Sequence, residues 1–177
     1  MADISLLRKD NFALAFKLGE LLKEQGRTLT LAESCTGGGV SECVTAINGS
    51  SAWFDRAFIT YSNQSKIDML GVLPATLATH GAVSENTALE MAMGAIHHAQ
   101  ANISASITGI AGPTGGSIEK PIGMICFGFS IKDLTDDFHS RTHTAYFTGD
   151  REQIRLQAIC MALSGLINLL NSLTITG

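Results

Sequence analysis

Residues 28–39 read TLTLAESCTGGG, a short apolar strand that runs directly into a glycine-rich turn. A second turn of the same kind, TGIAGPTGGS at residues 108–117, follows another predicted strand at residues 103–107. A helix is predicted after the first turn, through about Ala46. Strands that alternate with helices predict an α/β protein with a largely parallel sheet.

The rest of the chain continues this alternation. Apolar residues at helical spacing predict helices, and runs rich in β-branched and aromatic residues predict strands. Asp150 and Gln153 are spaced as a capping box at the start of the last helix. The other predicted helices cover residues 11–25, 63–70 and 85–100, and the other predicted strands cover residues 53–61, 123–131 and 138–147, the last two as an antiparallel hairpin.

Composition limits the class of protein. The 177 residues carry a net charge of −4, with 45% hydrophobic and 16% charged residues, which excludes intrinsic disorder and predicts a single domain over residues 1–177. The absence of a basic excess argues against a nucleic-acid partner. We expect no signal peptide and no membrane span, because charges interrupt the N-terminal region and no run of about 18 apolar residues occurs. Four scattered cysteines favour a reducing cytoplasm.

The two glycine-rich turns are the candidate ligand site. Ligands of open α/β sheets bind at the carboxyl ends of strands, and glycine-rich turns that lead into helices expose N–H donors suited to an anion. The two turns are therefore expected to share a pocket for an anionic ligand, although each read alone is also compatible with a purely structural turn. Standard phosphate-binding motifs are absent: no GxxxxGK[ST] occurs, and residues 37–42 do not fit GxGxxG.

Ser34 stands between the first strand and the following helix. It is compatible with a helix N-cap, or with a nucleophile whose own and following N–H groups form an oxyanion hole. A nucleophilic serine needs a base, and Lys66 is the candidate, with Tyr61 at the end of the neighbouring strand and both side chains directed at the pocket. Lys66 must be neutral for this role; a solvated surface lysine is the alternative.

Several separate segments together resemble one family. They read ESCTGG, TYSNQSK at residues 60–66, GAVSE at 81–85, TGIAGPTGGS, and KPIG at 120–123. The chain resembles the C-terminal domain of the CinA competence/damage-inducible proteins from about residue 12 to residue 170. Asn48 stands where the family usually has the proline of PGSS. The larger N-terminal domain of full-length CinA has no counterpart here, so its activities are not carried over.

The resemblance implies a three-layer α/β/α sandwich with a five-stranded mixed, mostly parallel sheet. Stand-alone versions of this domain are nicotinamide-nucleotide amidases, which hydrolyse nicotinamide mononucleotide to nicotinate mononucleotide and ammonia in pyridine nucleotide salvage. By this resemblance Ser34 is the nucleophile, Lys66 its base and Tyr61 a proton-transfer partner, with no metal and no cofactor. The residues expected to bind the substrate are Thr36, Gly37, Gly38, Thr108, Gly109, Gly112 and Arg151.

Two other functions remain open at this point. One is a non-catalytic module that binds pyridine nucleotides, and the other is an amidase for a different amide substrate. The expected partner is a small-molecule substrate only, without nucleic acid or membrane. The apolar last helix is compatible with a core position or a subunit interface, and we expect a homo-oligomer, a dimer or larger.

Overall fold

The computed structural model describes residues 3–133 and 135–174. Its single five-stranded sheet lies between two layers of helices, which confirms the expected three-layer α/β/α architecture. A 3₁₀ turn at Ser50–Ala52 precedes the second strand. In chain order the elements are α1 (Ile4–Glu24), β1 (Leu29–Glu33), α2 (Gly39–Thr45), β2 (Phe54–Ile59), α3 (Asn63–Leu70), α4 (Pro74–His80), α5 (Glu85–His97), β3 (Ile103–Gly109), β4 (Met124–Lys132), β5 (Phe138–Tyr146) and α6 (Arg151–Thr174).

The strand order is β2-β1-β3-β4-β5. Strand β1 is parallel to both β2 and β3, whereas β4 is antiparallel to both β3 and β5. Only β4 therefore runs against the other four strands, so the sheet is mixed and mostly parallel, as expected. The carboxyl ends of β1, β2 and β3 meet at one edge, and the segments that follow these three strands lie next to one another there.

One face of the sheet is apolar. Ile103, Ala105 and Ile107 point from β3 to this face and are fully buried. They belong to the larger core, which also includes apolar side chains of α1, α2 and α6. Alternation along a strand places every second residue on the same face. Because the residues between them are also buried, β3 is packed on both faces.

The opposite face of β3 carries hydroxyl groups. Ser104 Oγ donates to the carbonyl of Ala92 at 2.7 Å, and Ser106 Oγ donates to the carbonyl of Ala88 at 2.5 Å, both in α5. Gly128 of β4 lies so close to α5 that a Cβ there would collide with the Ala88 carbonyl. Helix α5 therefore lies unusually near the sheet, above a smaller second core of Ala32, Leu70, Val72, Met91 and Ala95.

Two helices differ from the sequence prediction. Helix α1 begins at Ile4 rather than residue 11, because the Asp3 carboxylate caps it by accepting from the N–H groups of Ser5 at 2.8 Å and Leu6 at 3.4 Å. Helix α4 was not predicted, since seven residues that begin with proline show no apolar periodicity. The capping box of α6 is confirmed: Asp150 and Gln153 exchange two hydrogen bonds of 2.9 Å between backbone N–H and side-chain oxygen.

Helix α6 is long and apolar enough, over Arg151–Ser172, to satisfy a length and composition test for a membrane span. Most of that segment is buried inside the protein, where it packs on α1 and on the sheet. Length and composition of this kind are also found in buried core helices. All four cysteines are free thiols in the structure.

Candidate active site

Ser34 lies directly after β1 at the carboxyl edge of the sheet. Its backbone N–H donates to the carbonyl of Ile107 in β3 at 2.9 Å, which holds the residue against the neighbouring strand end. Its hydroxyl oxygen accepts a hydrogen bond from Lys66 Nζ at 3.1 Å. Because Ser34 is 8% exposed, the hydroxyl lies at the margin of the interior rather than deep within it.

Lys66 reaches Ser34 from the first turns of α3. Its Nζ also donates to the carbonyl of Thr60 at 2.8 Å, and the side chain is only 1% exposed, so it is not a solvated surface lysine. Burial lowers the pKa of the Lys66 amine, because an ammonium loses its hydration there. No carboxylate forms an ion pair with Lys66 within residues 3–133 and 135–174. This environment favours the neutral amine, the protonation state that a base requires.

Glu33, one residue before Ser34, is fully buried. Its carboxylate accepts five hydrogen bonds of 2.6 to 3.1 Å, all from residues that follow it in the chain. The donors are Thr36 Oγ1, the N–H groups of Gly38, Val40 and Ser41, and Ser41 Oγ. Gly38 caps α2 with φ +98°, a conformation that favours glycine. The start of α2 is therefore bound to an internal anion.

The first glycine-rich turn uses most of its donors internally. The N–H of Gly37 donates to Ser34 O at 3.1 Å, and that of Gly39 to Thr36 O at 3.2 Å. Thr36, Gly37 and Gly38 were expected to offer donors to a substrate anion, but Glu33 and the turn itself bind the Thr36 hydroxyl and the N–H groups of Gly37 and Gly38. The N–H of Ser34 is also bonded within the protein, to the carbonyl of Ile107. In the described part of the chain, no oxygen accepts from the N–H of Cys35 or Thr36.

The second glycine-rich turn is bound to its surroundings by side chains. Thr108 is 1% exposed, and its hydroxyl donates to the carbonyl of Ala82 at 2.7 Å, beside the start of α5. Gly109 packs so closely on β4 that a Cβ would lie 2.7 Å from the Met124 carbonyl, so packing alone explains this glycine. Lys120 Nζ donates to the carbonyls of His80 at 2.6 Å and Val83 at 2.8 Å.

Two arginines of α6 connect the two turns. Arg151 Nη1 donates to the carbonyl of Gly112 at 2.7 Å, and Arg155 Nη2 donates to the carbonyl of Thr36 at 2.6 Å. The first turn of α6 thus lies against both glycine-rich segments, as the shared-pocket expectation requires. Arg155 was missed in the sequence, although its position four residues after Arg151 places both side chains on one helix face.

Tyr61 lies at the outer margin of this group. Its side chain is 65% exposed, and its hydroxyl accepts a hydrogen bond from Arg151 Nη2 at 3.3 Å. Within the described residues it makes no hydrogen bond to Ser34 or Lys66. The structure therefore brings Ser34 and Lys66 together, and separately brings Tyr61 and Arg151 together.

A cavity of about 320 Å³ lies beside the arginines. Arg151 and Arg155 line it together with Arg8, whose guanidinium pairs with Glu152 at 2.8 Å, but Ser34 does not. No cluster of three or more metal-ligating side chains occurs among the residues that the structure describes.

Comparison with known proteins places this geometry in a family. The model of the CinA C-terminal domain matches residues 11–170. The nicotinamide-nucleotide amidohydrolase PncC of Enterobacter agglomerans is 51% identical over 152 residues, which cover 85% of this chain and 89% of that protein. PncC of Escherichia coli K12 is 50% identical over 153 residues, which cover 86% and 90%.

A solved structure agrees with these relatives. The competence/damage inducible protein CihA from Agrobacterium tumefaciens superposes with a TM-score of 0.84 at 42% identity, covering 92% of this chain and 96% of that one. The family model and the two relatives each extend over most of the chain, and the solved structure has the same fold. The chain belongs to the CinA C-terminal domain family.

Proposed function

We propose that this protein is a nicotinamide-nucleotide amidohydrolase, which converts nicotinamide mononucleotide to nicotinate mononucleotide and ammonia in pyridine nucleotide salvage. Relatives that carry this activity in their names are about half identical over most of the chain. The single structural observation that supports the proposal is the contact of 3.1 Å between Lys66 Nζ and Ser34 Oγ, made by a buried amine with a lowered pKa.

In the first half-reaction Ser34 Oγ attacks the carboxamide carbon of the substrate. Neutral Lys66 accepts the hydroxyl proton as the new C–O bond forms, and the carbonyl oxygen becomes an oxyanion. The Thr60 carbonyl holds the amine in place throughout, through the contact of 2.8 Å. Lys66 then returns the proton to the amide nitrogen, the C–N bond breaks, ammonia leaves, and Ser34 carries the nicotinate acyl group as an ester.

In the second half-reaction water replaces ammonia. Lys66 takes a proton from the water, hydroxide oxygen bonds to the acyl carbon, and the ester C–O bond breaks. The proton on Lys66 passes to Ser34 Oγ, which restores the enzyme and releases nicotinate mononucleotide. The oxyanion of both steps is stabilised by backbone N–H groups next to Ser34.

Arg151 is proposed to bind the phosphate or ribose edge of the substrate. Its guanidinium is exposed, and a planar fork of donors suits a phosphate. Tyr61 is proposed to contact the substrate beside it; a role in proton transfer requires the phenol to leave Arg151. Thr108, Gly109 and Gly112 shape the second turn, and Thr108 and the Gly112 carbonyl are already hydrogen bonded within the protein.

The contact between Ser34 and Lys66 also bears on the two alternative functions, because it argues against a binding module but not against another amidase. A module that only binds pyridine nucleotides has no use for a buried lysine on a serine hydroxyl, and burying an amine without a carboxylate partner is costly. An amidase for another amide substrate would use the same pair, so only a substrate panel separates it from the proposed activity.

We also propose that the chain acts as one domain, in the cytoplasm and as a homo-oligomer. One continuous sheet supports the first statement, and four free cysteines are typical of a reducing compartment. Exposed apolar side chains on α1, Leu6, Phe12 and Phe16, are candidates for a subunit contact.

The test is ammonia release from nicotinamide mononucleotide by the wild-type protein and by Ser34→Ala. We expect turnover by the wild type and a loss of about 10⁴-fold or more in kcat for the variant, with an unchanged thermal midpoint. Near-normal turnover by Ser34→Ala contradicts the mechanism. A wild type that releases ammonia only from other amides supports the alternative amidase.

A further inference from the structure

Glu33 is a fully buried acid in contact with the turn that carries Ser34. A buried carboxylate is stable only when donors surround it, and here five donors do so. Because Glu33 is 0% exposed, it does not touch a substrate. Its role must therefore be exercised through the residues that it binds.

The two carboxylate oxygens serve different segments. Oε2 accepts from Thr36 Oγ1 at 2.7 Å and from the N–H groups of Gly38 at 3.0 Å and Val40 at 3.1 Å. Among the described residues, Oε1 accepts only from Ser41, through its N–H at 2.9 Å and its hydroxyl at 2.6 Å. Oε2 thus holds the turn after the nucleophile together with the start of α2, whereas Oε1 holds α2 through Ser41.

The turn held by Oε2 keeps two N–H groups without an oxygen acceptor among the described residues, those of Cys35 and Thr36. Both belong to the two residues that directly follow Ser34, the proposed nucleophile. Arg155 restrains the same turn from the other side, through the Thr36 carbonyl at 2.6 Å. The carboxylate and the guanidinium therefore both restrain this segment, through the Thr36 hydroxyl, the Gly38 N–H and the Thr36 carbonyl.

We propose that Glu33 is a positioning residue, whose Oε2 holds the turn so that the N–H groups of Cys35 and Thr36 form the oxyanion hole. This inference rests on the proposed nucleophilic role of Ser34. It assigns the Thr36 hydroxyl to the support of the oxyanion hole instead of to substrate binding. An acid suits the position because all of its partners are donors, whereas a glutamine would place its own N–H groups against them.

The test compares Thr36→Val with Ser41→Ala. Each variant removes one hydroxyl donor from the same carboxylate, the first from Oε2 and the second from Oε1. Loss of an oxyanion-hole donor costs about 10²–10³ in kcat, and a displaced donor costs part of that. We expect Thr36→Val to lower kcat about tenfold or more with KM within about twofold, and Ser41→Ala to keep kcat within about twofold. Both variants should lose similar thermal stability.

Equal kcat losses in the two variants, or a rise in KM alone for Thr36→Val, overturn the proposal in favour of a structural or binding role. Thr36→Ser restores the hydroxyl and is expected to recover most of the kcat lost in Thr36→Val; no recovery also overturns it. Glu33→Gln is the second variant if Thr36→Val does not fold. It should show a loss confined to kcat, and an unchanged kcat contradicts the proposal.

The positioning role is separable from the substrate assignment. A wild type that releases no ammonia from nicotinamide mononucleotide refutes the proposed substrate. In that case the rate at which a fluorophosphonate labels Ser34 replaces turnover, because the phosphonyl oxygen uses the same N–H groups. Slower labelling of Thr36→Val than of Ser41→Ala supports the positioning role, and equal labelling rates overturn it.

Discussion

The two glycine-rich turns, residues 33–39 and 108–117, lie side by side but use their polar groups differently. The first turn bonds to itself and to the buried carboxylate of Glu33. The second is bonded to α6 through Arg151, and the segment after it carries Ile118, which is fully exposed, and Lys120, whose amine donates to the His80 carbonyl. Similar composition thus serves a rigid reaction centre in one case and an open margin in the other.

The largest loss of activity should come from Lys66, which is bonded to Ser34 at the first glycine-rich turn. Lys66→Met removes the only amine bonded to Ser34 in the described structure, while keeping the length of an unbranched side chain. General-base catalysis contributes about 10²–10⁴-fold, so kcat for ammonia release should fall by that amount. Binding of nicotinamide mononucleotide, measured by calorimetry, serves as the control and should persist. A rise in KM with normal kcat would make Lys66 a binding residue.

Variants of Arg151 and Arg155 test the two glycine-rich turns one at a time, because each arginine contacts a different turn. Arg151→Met removes a contact to the second turn and an exposed guanidinium, and we expect KM to rise about 10–100-fold, the value of a hydrogen bond to a charged group. Arg155→Met removes the contact to Thr36 in the first turn. It should instead lower kcat and the thermal midpoint. Steady-state kinetics with both variants measures this, and the reverse pattern would exchange their roles.

The pH profile tests the state of Lys66. Burial lowers the pKa of its amine from the ordinary value of 10.5, so the neutral, active form is reached at lower pH than for an exposed lysine. We expect kcat/KM to rise about tenfold per pH unit below the pKa of Lys66 and then to level off below 10.5. A rising limb centred at or above that value contradicts the assignment, and Lys66→Met should lack the limb.

A smaller change in kcat is expected from Tyr61, at the exposed margin of the site. Tyr61→Phe removes the hydroxyl that accepts from Arg151 but keeps the ring. If Tyr61 contacts substrate without transferring a proton, kcat should stay within about threefold of the wild type, because acid–base roles are worth 10²-fold or more. A loss of about 100-fold in kcat would restore Tyr61 to the proton-transfer step.

The smallest effect concerns stability alone. Ile118→Ser changes a side chain that is 102% exposed, so the free energy of unfolding should stay within about 0.5 kcal/mol. Gly38→Ala is the matched change in the first turn. It forces a Cβ onto φ +98° and should cost more than about 1 kcal/mol. Denaturant melts of both variants measure the contrast, and equal values would remove the distinction between a rigid and an open turn.

Much of the layout could be predicted from local patterns. The strands, the hairpin and the Asp150–Gln153 capping box depend on neighbouring residues, and these predictions were confirmed or shifted by a few residues. Strand ends that meet at one edge of the sheet made Lys66 a candidate base beside a possible surface lysine, the family resemblance implied its pairing with Ser34, and the structure shows the contact. Helix α4 was missed because its seven residues show no apolar periodicity, and part of its support comes from a distant residue: the Glu90 carboxylate accepts from the N–H of Leu73 at 2.8 Å.

The use of the loop donors could not be predicted in the same way. Glu33 follows an apolar strand, and nothing in its neighbours says whether the carboxylate turns outward to solvent or inward to α2. Arg155 reaches Thr36 across 119 positions of sequence. Both depend on tertiary packing, so the sequence located the turn but did not show that the N–H groups of Gly37 and Gly38 bond within the protein.

The hydroxyls of Ser104 and Ser106 have a consequence for motion in the protein. They bond to carbonyls one helical turn apart in α5, and Gly128 admits that helix too close to the sheet for sliding. A displacement of α5 along its axis by even one residue would break both bonds together. Helix α5 is therefore tied to the sheet, and we expect any opening that admits substrate to occur elsewhere, with the exposed Tyr61 and the exposed residues 114–117 of the second turn as candidates.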